Sequence, residues 1–188
     1  MTIFETGGYS LVRNNFRALT AHVAVSTASF GIYFGAHLSN GFLKYSNIES
    51  FKPFEGKMFF LSSAIFILAI SAYYYIGRHF LISLGGIGKN MKSVASTFYI
   101  GLFLFGLSLF FGGYHGFSVN TEFGSWEWYL LFNAYSLPLV FDFGIKNWAV
   151  LFMLSALPSF IMGLSMKIGV GKKINTKTRG LGNIWKKT

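Results

Sequence analysis

Apolar residues are concentrated in four long stretches of the chain, and none of these stretches contains a charged side chain. They cover residues 19–43, 58–76, 94–113 and 148–166. A helix needs about 20 apolar residues to cross the hydrocarbon core of a bilayer, which is about 30 Å thick. Because each stretch meets or nearly meets this length, the pattern predicts four transmembrane helices and an all-α, polytopic membrane bundle.

A fifth apolar segment, residues 126–141, is shorter than the others and contains Glu127, Asn133 and Pro138. Aromatic residues such as Trp126 suit the headgroup region of a bilayer. We therefore expect an interfacial or re-entrant segment on the outer face. The backbone of such a segment must be covered by protein or lie flat on the membrane, because unpaired polar groups cannot face lipid.

The charges outside the apolar stretches orient the predicted helices. With four spans, twelve lysines and arginines lie on the side of the two termini and four lie on the opposite side. The positive-inside rule then places both termini in the cytoplasm. We expect a multi-pass protein of the cell membrane, or of an organellar inner membrane, with one four-helix domain at residues 1–168 and a basic cytoplasmic tail at residues 169–188.

Composition excludes several kinds of chemistry. The chain is 53% hydrophobic and 12% charged, whereas about a quarter of the residues are charged in a soluble domain. It has no cysteine, which excludes disulfides, thiolate metal sites, cysteine nucleophiles and covalent c-type haem. The apolar stretches also lack the ionisable groups that usually couple transport to protons or sodium. With no recognisable catalytic arrangement, we expect a protein that is not an enzyme.

The first predicted helix has two distinct faces at about 100° per residue. Small residues let two helices approach closely, so we expect the small face to be a packing surface. The polar face consists of His22, Ser26, Ser29, Tyr33, His37 and Asn40, and the small face consists of Ala24, Ala28, Gly31 and Gly35.

The four histidines are the candidate ligands for a cofactor. The predicted topology places His22 with His79 near one membrane face and His37 with His115 near the other. Neutral imidazoles can ligate haem iron or another metal. Hydrogen bonding between helices explains His22 without any cofactor. We therefore predict no cofactor and no metal, and keep b-type haem as the alternative.

The tail is basic and rich in glycine, lysine and threonine, so we expect it to lack fixed structure. Lys172, Lys173, Lys177 and Arg179 lie just after the last predicted span. Basic residues in this position attract anionic lipids by about 1 kcal/mol each. No folded basic patch suggests nucleic-acid binding.

Three functions remain open. The leading hypothesis is a non-catalytic accessory or structural subunit that packs against a membrane-protein partner or a second copy of itself. The second is a redox subunit that binds haem or a metal through the histidine pairs. The third is a channel or small-solute permease lined by the polar face of the first helix.

Overall fold

A computed structural model describes residues 3–45, 55–112, 126–145 and 147–182, with side chains described within 10–39, 59–111, 126–145 and 147–166. Every regular element in these ranges is helical, which confirms the all-α class. A 3-10 turn at Ala134–Ser136 joins the fifth helix to the sixth. The α-helices are α1 (Ile3–Tyr45), α2 (Glu55–His79), α3 (Ile87–Lys92), α4 (Ala95–Gly112), α5 (Glu127–Phe132), α6 (Leu137–Phe141) and α7 (Trp148–Gly182).

Two helices in the described part of the chain are long and apolar enough to cross a membrane. They are Phe59–His79, with 21 residues, and Trp148–Met166, with 19 residues. The apolar helix Ala95–Phe111 is shorter. Helix α1 is not among them, because the polar side chains on one of its faces lower its mean hydropathy. Two of the four predicted spans therefore coincide with apolar helices of membrane length.

Polar side chains before the apolar stretch of α1 fasten this helix to the connection between α2 and α4. Asn14 is fully buried. Its Nδ2 donates to the carbonyl of Ile82 at 2.6 Å, and its Oδ1 accepts from the Ile82 N–H at 3.0 Å. Asn15 donates to the carbonyl of Lys92 at 3.1 Å and accepts from the Ser96 N–H at 2.9 Å. These amides satisfy backbone groups that the turns leave unpaired.

Helices α2 and α7 make the closest helix contact, at Gly77. A Cβ atom at this position would lie 2.5 Å from the carbonyl oxygen of Met162 and 2.8 Å from its Cα. Both atoms belong to the backbone of α7 and cannot move aside. Gly77 is therefore required for the approach of the two helices, although no sequence pattern marked it.

Residues 126–141 form a broken helix that packs among the longer helices. Trp126, Tyr129, Asn133, Tyr135 and Val140 are all buried. The segment contacts α1, α2 and α4. Protein therefore covers its backbone, as the expectation of a re-entrant segment requires.

A tyrosine of the broken segment completes the hydrogen bonding of α7. Pro158 lies inside α7 and has no N–H to donate to the carbonyl of Leu154. The hydroxyl of Tyr135 donates to this carbonyl instead. Tyr129 makes a parallel contact by donating its hydroxyl to the carbonyl of Leu151. The broken segment thus supplies a partner that α7 cannot supply for itself.

Helix α7 continues to Gly182, beyond the last predicted span. The backbone of residues 169–182 is helical, so the expectation of a tail without fixed structure was wrong for this range. Helix propagation from the apolar part of α7 accounts for the difference, because extending a helix costs less than starting one. The side chains of Lys172, Lys173, Lys177 and Arg179 lie outside the described side chains.

Candidate functional site: the polar face of α1

The predicted polar face of α1 points into the bundle. His22, Ser26, Ser29 and Tyr33 are all buried, while His37, near the end of the face, is partly exposed. The side chain of Asn40 is outside the described part. The predicted alignment of these residues on one side of the helix is thus matched by their burial against the rest of the chain.

His22 lies in an aromatic environment. Its Nδ1 is 2.9 Å from the hydroxyl of Tyr73 on α2. Its ring centroid lies 4.4 Å from that of Phe132, 5.7 Å from that of Tyr73 and 6.1 Å from that of Tyr135. Because three aromatic rings surround it, the imidazole joins α1, α2 and the broken segment in one packed cluster.

Ser26 satisfies the backbone at the break between α5 and α6. The N–H of Ser136 bonds to the carbonyl of Asn133 at 2.8 Å, in the 3-10 pattern. It is therefore not available to the carbonyl of Phe132, its partner in a continuous α-helix. The hydroxyl of Ser26 donates to that carbonyl at 2.6 Å. One polar residue of α1 thus compensates for the interruption of the helix beside it.

Asp142, the only aspartate in the sequence, collects polar contacts at the other end of this face. Tyr33 donates its hydroxyl to Oδ1 at 3.2 Å, and Ser62 of α2 donates its hydroxyl to Oδ2. Nε2 of His37 lies 3.5 Å from Oδ1. We refer to Tyr33, His37, Ser62 and Asp142 as the Asp142 cluster. It joins α1, α2 and the end of α6.

The Asp142 cluster does not have the geometry of a hydrolase triad. In a triad, histidine bridges the nucleophile and the carboxylate. Here Ser62 bonds directly to Asp142, and His37 approaches the same carboxylate from α1. No imidazole therefore stands ready to take the proton of Ser62.

The predicted histidine pairs are not assembled by the described residues. His79 is exposed and its ring stacks on Tyr75, with centroids 4.4 Å apart. It follows Tyr73, the partner of His22, by a rotation of about 240° around α2, so it points away from His22. His115 lies outside the described residues, so its pairing with His37 has no structural description. Among the side chains that are described, no group of three histidines or carboxylates could hold a metal ion.

The predicted small face of α1 points outward. Ala24, Ala28, Gly31 and Gly35 are exposed. A Cβ atom at either glycine would meet nothing within 4 Å. The described part of the chain therefore leaves this face open to lipid or to another protein.

Sequence reasoning missed the contacts of Asp142 because this residue follows a loop-like break and was assigned only a role in loop solubility. Its solitary position directly after an apolar, aromatic segment was the available signal. The roles of Tyr73 and Tyr135 leave no local pattern, since their partners are far away in the sequence. Searches of protein-family models, curated proteins and solved structures found no match to this chain.

Proposed function

We propose that this chain is an integral protein of the cell membrane with four spans and both termini in the cytoplasm. Helices α2 and α7 supply two spans, and α4 with the apolar part of α1 supplies the others. The inward direction of the polar face supports α1 as a span, because it leaves Val23, Ile32, Phe34 and Leu38 on the exposed side. The distribution of basic residues supports the orientation.

We further propose that the protein is a non-catalytic accessory or structural subunit that packs against a membrane partner through α1. The observation that carries this proposal is the contrast between the two faces of that helix. Contacts inside the bundle occupy the polar face, whereas the small face is open. Close approach of a partner helix to small residues gains van der Waals contact, which drives helix association in lipid.

The two alternatives receive less support from the same contacts. A channel would need the polar face to border water, whereas His22, Ser26 and Ser29 are buried among protein atoms. A haem between His22 and His79 would need both imidazoles on one side of α2. The first function therefore fits the described geometry best.

The basic residues after the last span fit this arrangement. We propose that Lys172, Lys173, Lys177 and Arg179 contact anionic lipids at the cytoplasmic face and hold the C-terminal end of α7 there. Each contributes about 1 kcal/mol near an anionic surface.

The association through α1 can be tested with bulky substitutions at open glycines. Gly31→Leu and Gly35→Leu fill space that is empty in the monomer, so the monomer should fold with unchanged thermal stability. The matched control is Gly106→Leu on α4, where a Cβ atom also meets nothing within 4 Å. Mild-detergent purification followed by light scattering and mass spectrometry reports the size and composition of each complex.

We expect the wild type and the Gly106→Leu variant to purify as the same complex, and the two α1 variants to purify as monomers. The mass distinguishes a second copy of the chain from a different partner. A monomeric wild type would contradict the proposal. A Soret absorption band that His22→Ala removes would establish the haem alternative instead.

A further inference from the structure

We propose that His37 and Asp142 form a proton-dependent latch between α1 and the end of the broken segment. Nε2 of His37 lies 3.5 Å from Oδ1 of Asp142. The side chains of His37 and Asp142 are 40% and 17% exposed, so protons from the solvent can reach the pair. The latch does not depend on whether the chain binds a partner.

The direction of the proton dependence follows from the hydrogen bonding of the pair. Asp142 already accepts from the hydroxyls of Tyr33 and Ser62. Nε2 of His37 is itself a buried atom with no hydrogen-bond partner. A neutral imidazole adds little to this contact, whereas an imidazolium adds attraction between opposite charges in partly buried surroundings. Because histidine changes charge between pH 5 and 8, the contact should strengthen on acidification.

The groups around the pair leave Asp142 as the partner of the imidazolium. On α1, the ring of Tyr33 packs against His37 with centroids 4.4 Å apart. On α2, Ser62 is the contact with Asp142, and it does not titrate. Among the described side chains, His37 has no other carboxylate oxygen within 4.0 Å. The charged neighbours in sequence, Glu55, Lys57 and Lys146, have side chains outside the described part.

The latch closes a segment that is fastened at several points along its length. Ser26 of α1 holds the carbonyl of Phe132, and Tyr135 holds the carbonyl of Leu154 on α7. Asp142 follows α6 directly and binds α1 and α2. Loss of the His37 contact therefore frees only the end of the segment, residues 137–145, while the Ser26 and Tyr135 contacts remain.

Thermal unfolding of the full chain in detergent at pH 5.5 and pH 8 tests the latch. We expect the wild-type Tm to be higher at pH 5.5 by about 2 °C, the shift that a weak ion pair produces in a protein of this size. His37→Asn and Asp142→Asn should each remove this difference. The matched control is His79→Asn, which removes an exposed histidine without a carboxylate contact and should retain the difference.

Two results would overturn the latch: a wild-type Tm without pH dependence, or a His37→Asn variant that keeps the full difference. If a variant fails to fold, hydrogen–deuterium exchange of the wild type keeps the test decisive. After correction for intrinsic rates, we expect about twofold slower exchange at residues 137–145 at pH 5.5 than at pH 8. Equal corrected rates at the two pH values would refute the proposal.

Discussion

Glycine occurs on two helix surfaces of this protein with opposite surroundings. Gly77 of α2 lies against the backbone of α7, where a Cβ atom would come within 2.5 Å of the Met162 carbonyl oxygen. Gly31 and Gly35 of α1 face open space, with nothing within 4 Å of an added Cβ. We call the first surface the α2–α7 seam and the second the open face of α1.

The comparison shows that a spacing of small residues does not identify the partner of a helix. The GxxxG pair at Gly31 and Gly35 is the more regular pattern, yet the closest contact within the chain uses a single glycine. What a glycine does depends on which backbone lies opposite to it, and that is set by contacts between distant parts of the sequence. The open face of α1 therefore remains available to a partner outside the chain.

The seam should be the part of the molecule that is most sensitive to an added methyl group. We expect Gly77→Ala to lower the free energy of unfolding by about 3 kcal/mol, because the contact is with rigid backbone and the two helices must separate. Reversible unfolding in mixed detergent measures the loss. A stable Gly77→Ala protein with an unchanged midpoint would show that the seam is looser than described.

The tyrosine contact with α7 tests whether the seam also depends on hydrogen bonding. Tyr135→Phe keeps the buried ring and removes the donor to Leu154, so we expect a loss of about 2 kcal/mol from an unsatisfied carbonyl. Pro158→Ala restores a backbone N–H for that carbonyl. In the Pro158→Ala background the cost of Tyr135→Phe should fall by about half or more. Equal costs in both backgrounds would argue against the assigned role of Tyr135.

The inward side of α1 should tolerate change better than the seam. We expect Ser26→Ala to lower the free energy of unfolding by about 1 kcal/mol, because the carbonyl of Phe132 loses its donor. The effect should be seen in the same unfolding assay. Thr20→Ala is a suitable control, since Thr20 is exposed and bonds to Phe16 within its own helix. A larger loss from the control would contradict the contact assigned to Ser26.

The open face of α1 should give the smallest effect of the series. Gly31→Ala meets no atom of the described chain and removes flexibility from the unfolded state. We therefore expect a gain of about 0.5 kcal/mol in the isolated monomer. A clear loss of monomer stability would mean that some other part of the chain covers this face, and the comparison between the two glycine surfaces would fail.

The sequence predicted the features that depend on local pattern. The all-helical class followed from uninterrupted apolar stretches, and the shared face of His22, Ser26 and Tyr33 followed from helical spacing. Residues 126–141 stood out by their length and by their polar residues. Each of these predictions needed only neighbours within one segment.

Features that depend on distant partners did not emerge from the sequence. Nothing near Asn14 indicates that its amide pairs with Ile82, and nothing near Pro158 identifies Tyr135 as the missing donor. Asp142 was assigned to a loop because its contacts, Tyr33 and Ser62, come from two other helices. The extension of α7 to Gly182 was missed because composition was weighed above continuity with the preceding helix.

The contact between Tyr135 and Leu154 makes two parts of the chain dependent on each other. Helix α7 cannot complete its own ladder of hydrogen bonds at Pro158, and the broken segment provides the absent rung. Withdrawal of the segment would expose an unpaired carbonyl in the middle of α7, at a depth where water is scarce. The two elements should therefore loosen together rather than one at a time, so that a disturbance on the side of Asp142 is felt in the last span.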